Sequence, residues 1–272
     1  MKNKKKILLA LSMLVLVLVL TGCGTGEVTA QSTGIWERYI VYNFGRAIQA
    51  LSFGNVGIGI ILFTIVIRII LLPLMHYQNK SMRKTQELQP KLNALKAQYA
   101  SKDPETQRKL QEEQQKLYDQ NGVNPFAGCL PLLIQMPIMM GLWQSISRTG
   151  LSEGRFLWLE LGVPDPILVL PILAAIFTFL STKLSSMSQV EGNPSMKIMN
   201  YAMPIMILVM GVNLASGLSL YWVVSNAFQV GQTLLINNPF KIKKEREEEV
   251  QRQRDLEKAL QKAQSPKKKR KK

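Results

Sequence analysis

Three observations predict an all-α, polytopic membrane protein: long apolar runs recur along the 272 residues, strongly basic segments join them, and the formal charge is +16. The expected architecture is five transmembrane helices, a helical hairpin on the cytoplasmic side and an amphipathic helix at the outer surface. Two cysteines are too few for a disulfide framework, and one histidine with no Cys/His/carboxylate cluster leaves no metal site. There is no Gly-rich phosphate loop, no Ser/His/Asp set and no pair of intramembrane carboxylates, so neither an enzyme nor a cofactor is expected.

Residues 1–22 read as a signal peptide, with four lysines followed by an apolar run from Ile7 to Leu20. Leu20-Thr21-Gly22-Cys23 is similar to a bacterial lipobox, which implies cleavage before Cys23, its diacylation and a mature N-terminus outside the cell. An uncleaved first span with a bystander cysteine is the alternative. In residues 23–55, the stretch "IWERYIVYNFGRAIQALSF" places Trp36, Ile40, Ile48 and Leu51 near one helical face. That pattern suits an amphipathic helix at the outer interface, or one packed on the outer ends of the bundle.

The core, residues 56–237, contains five segments long enough to cross a hydrocarbon layer: 56–76, 126–148, 166–187, 196–213 and 215–237. Nine basic residues lie between 77 and 125 and fourteen lie from 238 onward, whereas 24–55 and 149–165 hold only Arg38, Arg46 and Arg155. The positive-inside rule therefore runs the first span inward and leaves the C-terminus in the cytoplasm of a bacterial cell.

Within residues 78–122, Leu88, Leu92, Leu95 and Tyr99 form one helical stripe and Leu110 and Leu117 a thinner one. "SKDPE" between them offers Asp103 as N-cap and Pro104 at the first helical position, which predicts an antiparallel hairpin. The tail, 238–272, begins as a charged helix and ends in the cationic block "SPKKKRKK", suited to anionic lipids or ribosomal RNA. A topology signal alone would also account for that block.

The stretch "TIVIRIILLP" sets Arg68 among aliphatic side chains. A guanidinium at mid-bilayer costs about 2.5–3.5 kcal/mol or more, yet none of the five spans carries a carboxylate to pair with it. Arg68 must snorkel, bind neutral groups in a dry core, or face a wet cavity that admits something acidic. Gln135, Thr178, Thr182, Asn226 and Gln229, with Tyr221 and Trp222, are polar groups in other spans that would line such a groove, although each alone could be interhelical glue. Met196, Met199, Met203, Met206 and Met210 make one stripe on the fourth span, expected to pack against neighbouring helices, with a flexible surface that accepts many apolar shapes as the alternative.

Three stretches, "TIVIRIILLPL" with the following "QNKSMRKTQELQPKL", "GCLPLLIQMPIMMGLW" and "GLSLYWVVSNAFQVGQ", resemble the YidC membrane insertases, bacterial relatives of the Oxa and Alb proteins. The resemblance covers residues 35 to about 240, and the lipobox makes the chain similar to the Gram-positive form, including its sporulation-linked paralogue. It implies an insertase and chaperone with a groove open to the cytoplasm and to lipid. There Arg68 is a transient counter-charge for the hydrophilic part of a nascent membrane protein. It also implies client capture by the hairpin and ribosome contact by the tail, with the Sec translocon as a further candidate partner. The family often carries glutamine where this chain has Thr182, which shortens that residue's reach. A transporter or channel for small anions, and an assembly factor without insertion activity, are the competing readings; for the first, no inverted repeats or coupling carboxylates are visible.

Overall fold

The computed structural model describes residues 26–124, 130–187 and 194–264. The signal peptide, Cys23 and the terminal cationic block lie outside the described residues, as do the side chains of Met196 and Met199. The described part is mostly helical. A π-helical turn, Glu37–Val41, runs into α1 (Tyr42–Ala50), followed by α2 (Val56–Ile70), α3 (Leu72–Glu87), α4 (Gln89–Gln98) and α5 (Pro104–Gln120). Then come α6 (Leu130–Arg148), a short hairpin of β1 (Arg155–Phe156) and β2 (Leu159–Glu160), α7 (Val169–Met187), α8 (Pro194–Gly211), α9 (Ser216–Ile236) and α10 (Pro239–Gln264). The two strands are an addition to the all-α expectation.

Helix α2 starts where the Asn55 side chain accepts from the amides of Gly57 at 3.0 Å and Ile58 at 3.3 Å, satisfying two donors that a first turn leaves open. It does not run to residue 76 as predicted. Pro73 lacks an N–H to continue the ladder, so the chain turns at Leu71 and resumes as α3 at 57° to α2. Arg68 thus lies in the last turn of α2, just before the bend.

Among the described residues, only α7 is by itself long and apolar enough to cross a membrane, and α2 with α3 qualifies only as one bent span. The other predicted spans are helical. In α6 and α9 the apolar content is diluted by glutamines, serines and an asparagine, among them Gln135, Ser225 and Gln229 of the polar seam described below.

Helix α9 packs between α2 and α7, α8 lies against α7, and α1 lies across α2 and α6. The main core is at one end of this bundle: Ile48 of α1, Ile60 and Phe63 of α2, Leu142 and Ile146 of α6, and Leu218 of α9 meet Leu159 and Leu161 from the β-hairpin loop. That loop is tied down. The Ser216 and Gly217 amides donate to the carbonyls of Val163 at 2.7 Å and Leu161 at 3.0 Å. Buried Asp165 accepts from Trp158 Nε1 and from the amides of Ile167 and Leu170, capping the approach to α7. Arg148, at the end of α6, pairs with Glu37 and donates to the Gly26 carbonyl at 2.7 Å, which pins the N-terminal segment to the same end.

Helices α4 and α5 form the predicted hairpin, with Leu88, Leu92 and Val123 buried against Leu117 and Tyr118. Asp103 caps α5, accepting from the Ser101 hydroxyl and from the Thr106 amide at 2.8 Å. The charged start of the predicted tail is helical, as α10.

Two consequences are measurable. A Cβ on Gly59 would lie 2.3 Å from the Ile48 carbonyl oxygen, a backbone atom that cannot rotate away. Gly59→Ala should therefore destabilise the bundle by about 1–3 kcal/mol, read as a lower unfolding temperature in detergent. The Ser101 hydroxyl first, and then the Thr106 amide, hold the Asp103 carboxyl below the usual carboxylate range. A depressed folded-state value makes the cap's contribution full above the ordinary carboxylate pKa and lost only as pH falls through the lower folded value. Hydrogen-exchange protection of the Thr106 amide, corrected for intrinsic rates, should persist through the range where free aspartate titrates, and Asp103→Ala should abolish it at neutral pH.

Candidate functional site

The side chain of Arg68 leaves the last turn of α2 toward α9. Its Nε donates to Ser225 Oγ at 2.9 Å, Nη2 donates to the same oxygen, and Nη1 donates to Gln229 Oε1 at 3.4 Å. Ser225 is buried, whereas Arg68 and Gln229 are half-buried. Among the described residues, no carboxylate pairs with Arg68. The charge is held by neutral oxygens and is partly exposed.

Tyr221, Ser225 and Gln229 are spaced by four, so they stack on one face of α9. At the top of that row, Gln135 of α6 donates through Nε2 to the Tyr221 hydroxyl at 2.7 Å. Three helices thus contribute to one polar seam that starts at the apolar core, of which Tyr221 is a member, and descends to Arg68 and Gln229.

The other candidate residues are placed differently. Asn226 Nδ2 donates to the Trp222 carbonyl at 2.9 Å, one turn back on its own helix, so Trp222 and Asn226 lie off the Tyr221–Ser225–Gln229 row. Thr182 Oγ1 donates to the carbonyls of Thr178 at 2.9 Å and Phe179 at 3.0 Å. Among the described residues, the Thr178 hydroxyl is buried with no hydrogen-bond partner, as are both amide atoms of Gln78, Ser219 Oγ and Oε1 of Gln232. A buried polar atom left unsatisfied costs about 1–3 kcal/mol. Their presence on α7, α3 and α9 marks an interior that is polar beyond its own pairing capacity.

Ser225 was not singled out from the sequence. Its signal was its position midway between Tyr221 and Gln229 at helical spacing, masked because a lone serine in an apolar helix is commonplace. The methionine stripe departs from expectation. Met203, Met206 and Met210 are 37%, 46% and 49% exposed, and the neighbours of α8 are met instead by Asn200, Pro204 and Ile207. Helix α8 sits against α7 at one flank of the bundle, which leaves this face unpacked.

The model of the 60Kd inner membrane protein family matches residues 48–245. A protein of Enterococcus faecalis named membrane protein insertase YidC is 67% identical, covering 100% of both chains. The chain belongs to the YidC family. Membrane protein insertase YidC 1 of Lactococcus lactis is 53% identical, over 96% of this chain and 97% of its own. A crystal structure of an active YidC insertase, with its first transmembrane domain resolved, superposes with a TM-score of 0.58 at 32% identity. It covers 74% of this chain but 47% of that one, so the shared YidC fold is a part of the larger molecule.

The Arg68–Ser225 contact invites a double-mutant cycle. Ser225→Ala removes both hydrogen bonds to the hydroxyl and should lower stability by about 1.5–3 kcal/mol, the range for bonds to a charged donor. In an Arg68→Ala background the same change should cost far less, because the partner is already gone. Thermal unfolding of the four proteins in one detergent measures the difference, and equal costs in both backgrounds would disprove the coupling.

Proposed function

We propose that the chain is a membrane protein insertase and chaperone that receives the hydrophilic part of a nascent membrane protein in a hydrated groove and releases the client's apolar helix to lipid. The observation that carries this reading is Arg68 itself, a cation held only by neutral oxygens and half open. An apolar core at one end of the bundle and a polar seam toward the other support a groove closed on one side. The names of the relatives support the same activity.

On this reading α2 with the root of α3, and α6 to α9, are the five spans. Residues 1–22 are removed, Cys23 carries lipid outside, and the hairpin and basic tail face the cytoplasm. An acidic client segment meets Arg68, whose serine and glutamine partners can exchange for a carboxylate without leaving a charge unpaired. Water along the seam lowers the cost of holding that segment within the membrane. The client's apolar helix moves out along the exposed faces of the bundle and partitions into lipid. The membrane potential adds about 2.3 kcal/mol per charge per 100 mV on a negative segment moving outward. Neither a nucleotide nor a small-molecule substrate takes part, and the Sec translocon and the ribosome are partners that the groove and the basic tail would accommodate. Gln135, Tyr221, Ser225 and Gln229 shape the seam, while Thr178, Thr182, Trp222 and Asn226 are its more distant lining.

Complementation of cells depleted of their own insertase tests the counter-charge. At equal membrane levels, Arg68→Ala should lose insertion, most severely for clients with acidic tails, and Arg68→Lys should retain most of it. Normal insertion of every client by Arg68→Ala would sink the mechanism.

A further inference from the structure

Beyond the bend, where α3 passes the far ends of α7 and α9, lies a second polar site. A small cleft there is lined by Asn79, Arg83 and Gln86 of α3, Ser185 of α7, Thr233 of α9 and Asn237 just after it, with Met82 and Gln229 completing the wall. None of these residues is acidic. Arg83 is half-buried, and among the described residues it makes neither a hydrogen bond nor an ion pair. The neighbouring helix ends point carbonyls this way and soften the charge, but a partial dipole charge does not satisfy five guanidinium donors.

From this geometry we infer that the cleft binds the phosphodiester of an anionic phospholipid, with Arg83 as its bidentate anchor. A planar guanidinium among the side-chain amides of Asn79, Gln86 and Asn237 is donor chemistry for a phosphate. The cleft admits one compact group and not a length of peptide, its volume being about 60 Å³. Its surroundings select a lipid over a free anion. Leu235 and Ile236, at the end of α9 beside Asn237, are 86% and 51% exposed, so apolar surface for acyl chains adjoins a polar pocket for the headgroup. The inference does not depend on insertase activity. It is also separate from the basic tail, whose Lys241, Lys243 and Lys244 lie within reach of Glu245, Glu247 and Glu248 one turn along α10.

Native mass spectrometry of the full chain in detergent, titrated with phosphatidylglycerol, phosphatidylcholine and inorganic phosphate, tests the site. The expected result is that Arg83→Ala weakens the tightest phosphatidylglycerol adduct about tenfold, the loss of one set of charged hydrogen bonds. Arg83→Lys should lose less, Lys241→Ala should change nothing, and phosphatidylcholine binding should be equal in all proteins. An unchanged phosphatidylglycerol adduct in Arg83→Ala would overturn the proposal. Displacement of the lipid by millimolar inorganic phosphate would overturn the lipid assignment in favour of a free phosphate site. A photoreactive residue at Met82 that cross-links acidic nascent chains, and no lipid, would reassign the cleft to the client path.

Discussion

A fixed positive charge, without a fixed negative partner among the described residues, governs one half of this molecule. Arg68 has to be solvated by whatever the helices provide, and α9 provides it through one hydroxyl and one amide oxygen on successive turns. That requirement reaches outward. Helix α9 must present its Tyr221–Ser225–Gln229 row to α2, which settles its rotation in the bundle. Gln135 of α6 then finds the Tyr221 hydroxyl. Two of the polar residues that keep α9 from matching a purely apolar span, Ser225 and Gln229, are the ones that solvate the arginine.

The opposite end obeys another constraint. There the helices are drawn together by aliphatic and aromatic packing and by a loop whose polar groups are internally satisfied, Asp165 foremost. Glycines permit the closeness: Gly57 lies under Phe156 and Gly59 under the Ile48 carbonyl, with no room for a Cβ at either. Tight packing at one end and the polar seam at the other give the two halves of the bundle different cohesion.

The hairpin, the cap at Asp103 and the helical character of α1 were legible because each rests on local rules of periodicity and end chemistry. Arg68 was legible because a charge in an apolar run conflicts with its surroundings. The break at Leu71 was harder to read: Pro73 is tolerated at the start of a helix as readily as it ends one, and the apolar pattern runs through it. Gln229, Tyr221, Asn226 and Thr182 are all polar groups in apolar helices, but Gln229 and Tyr221 bond to other helices whereas Asn226 and Thr182 bond within their own. A hydroxyl as small as Ser225 acquires meaning only from the neighbour that reaches it. The outward methionines of α8 show the limit of a stripe, which tells that residues share a face but not what that face meets.

The bend beside Arg68 has a mechanical side. Helix α3 extends for 16 residues from it, about 24 Å at 1.5 Å per residue, and the hairpin continues from its far end. A tilt of about 10° at the bend would sweep that far end through about 4 Å, while Arg68, one turn from the pivot, would be displaced by a small fraction of that distance. The arrangement is a lever with its fulcrum against the fixed charge, and buried Gln78 together with the cleft that α3 shares with Gln229 couples the long arm back to the contacts that hold the guanidinium.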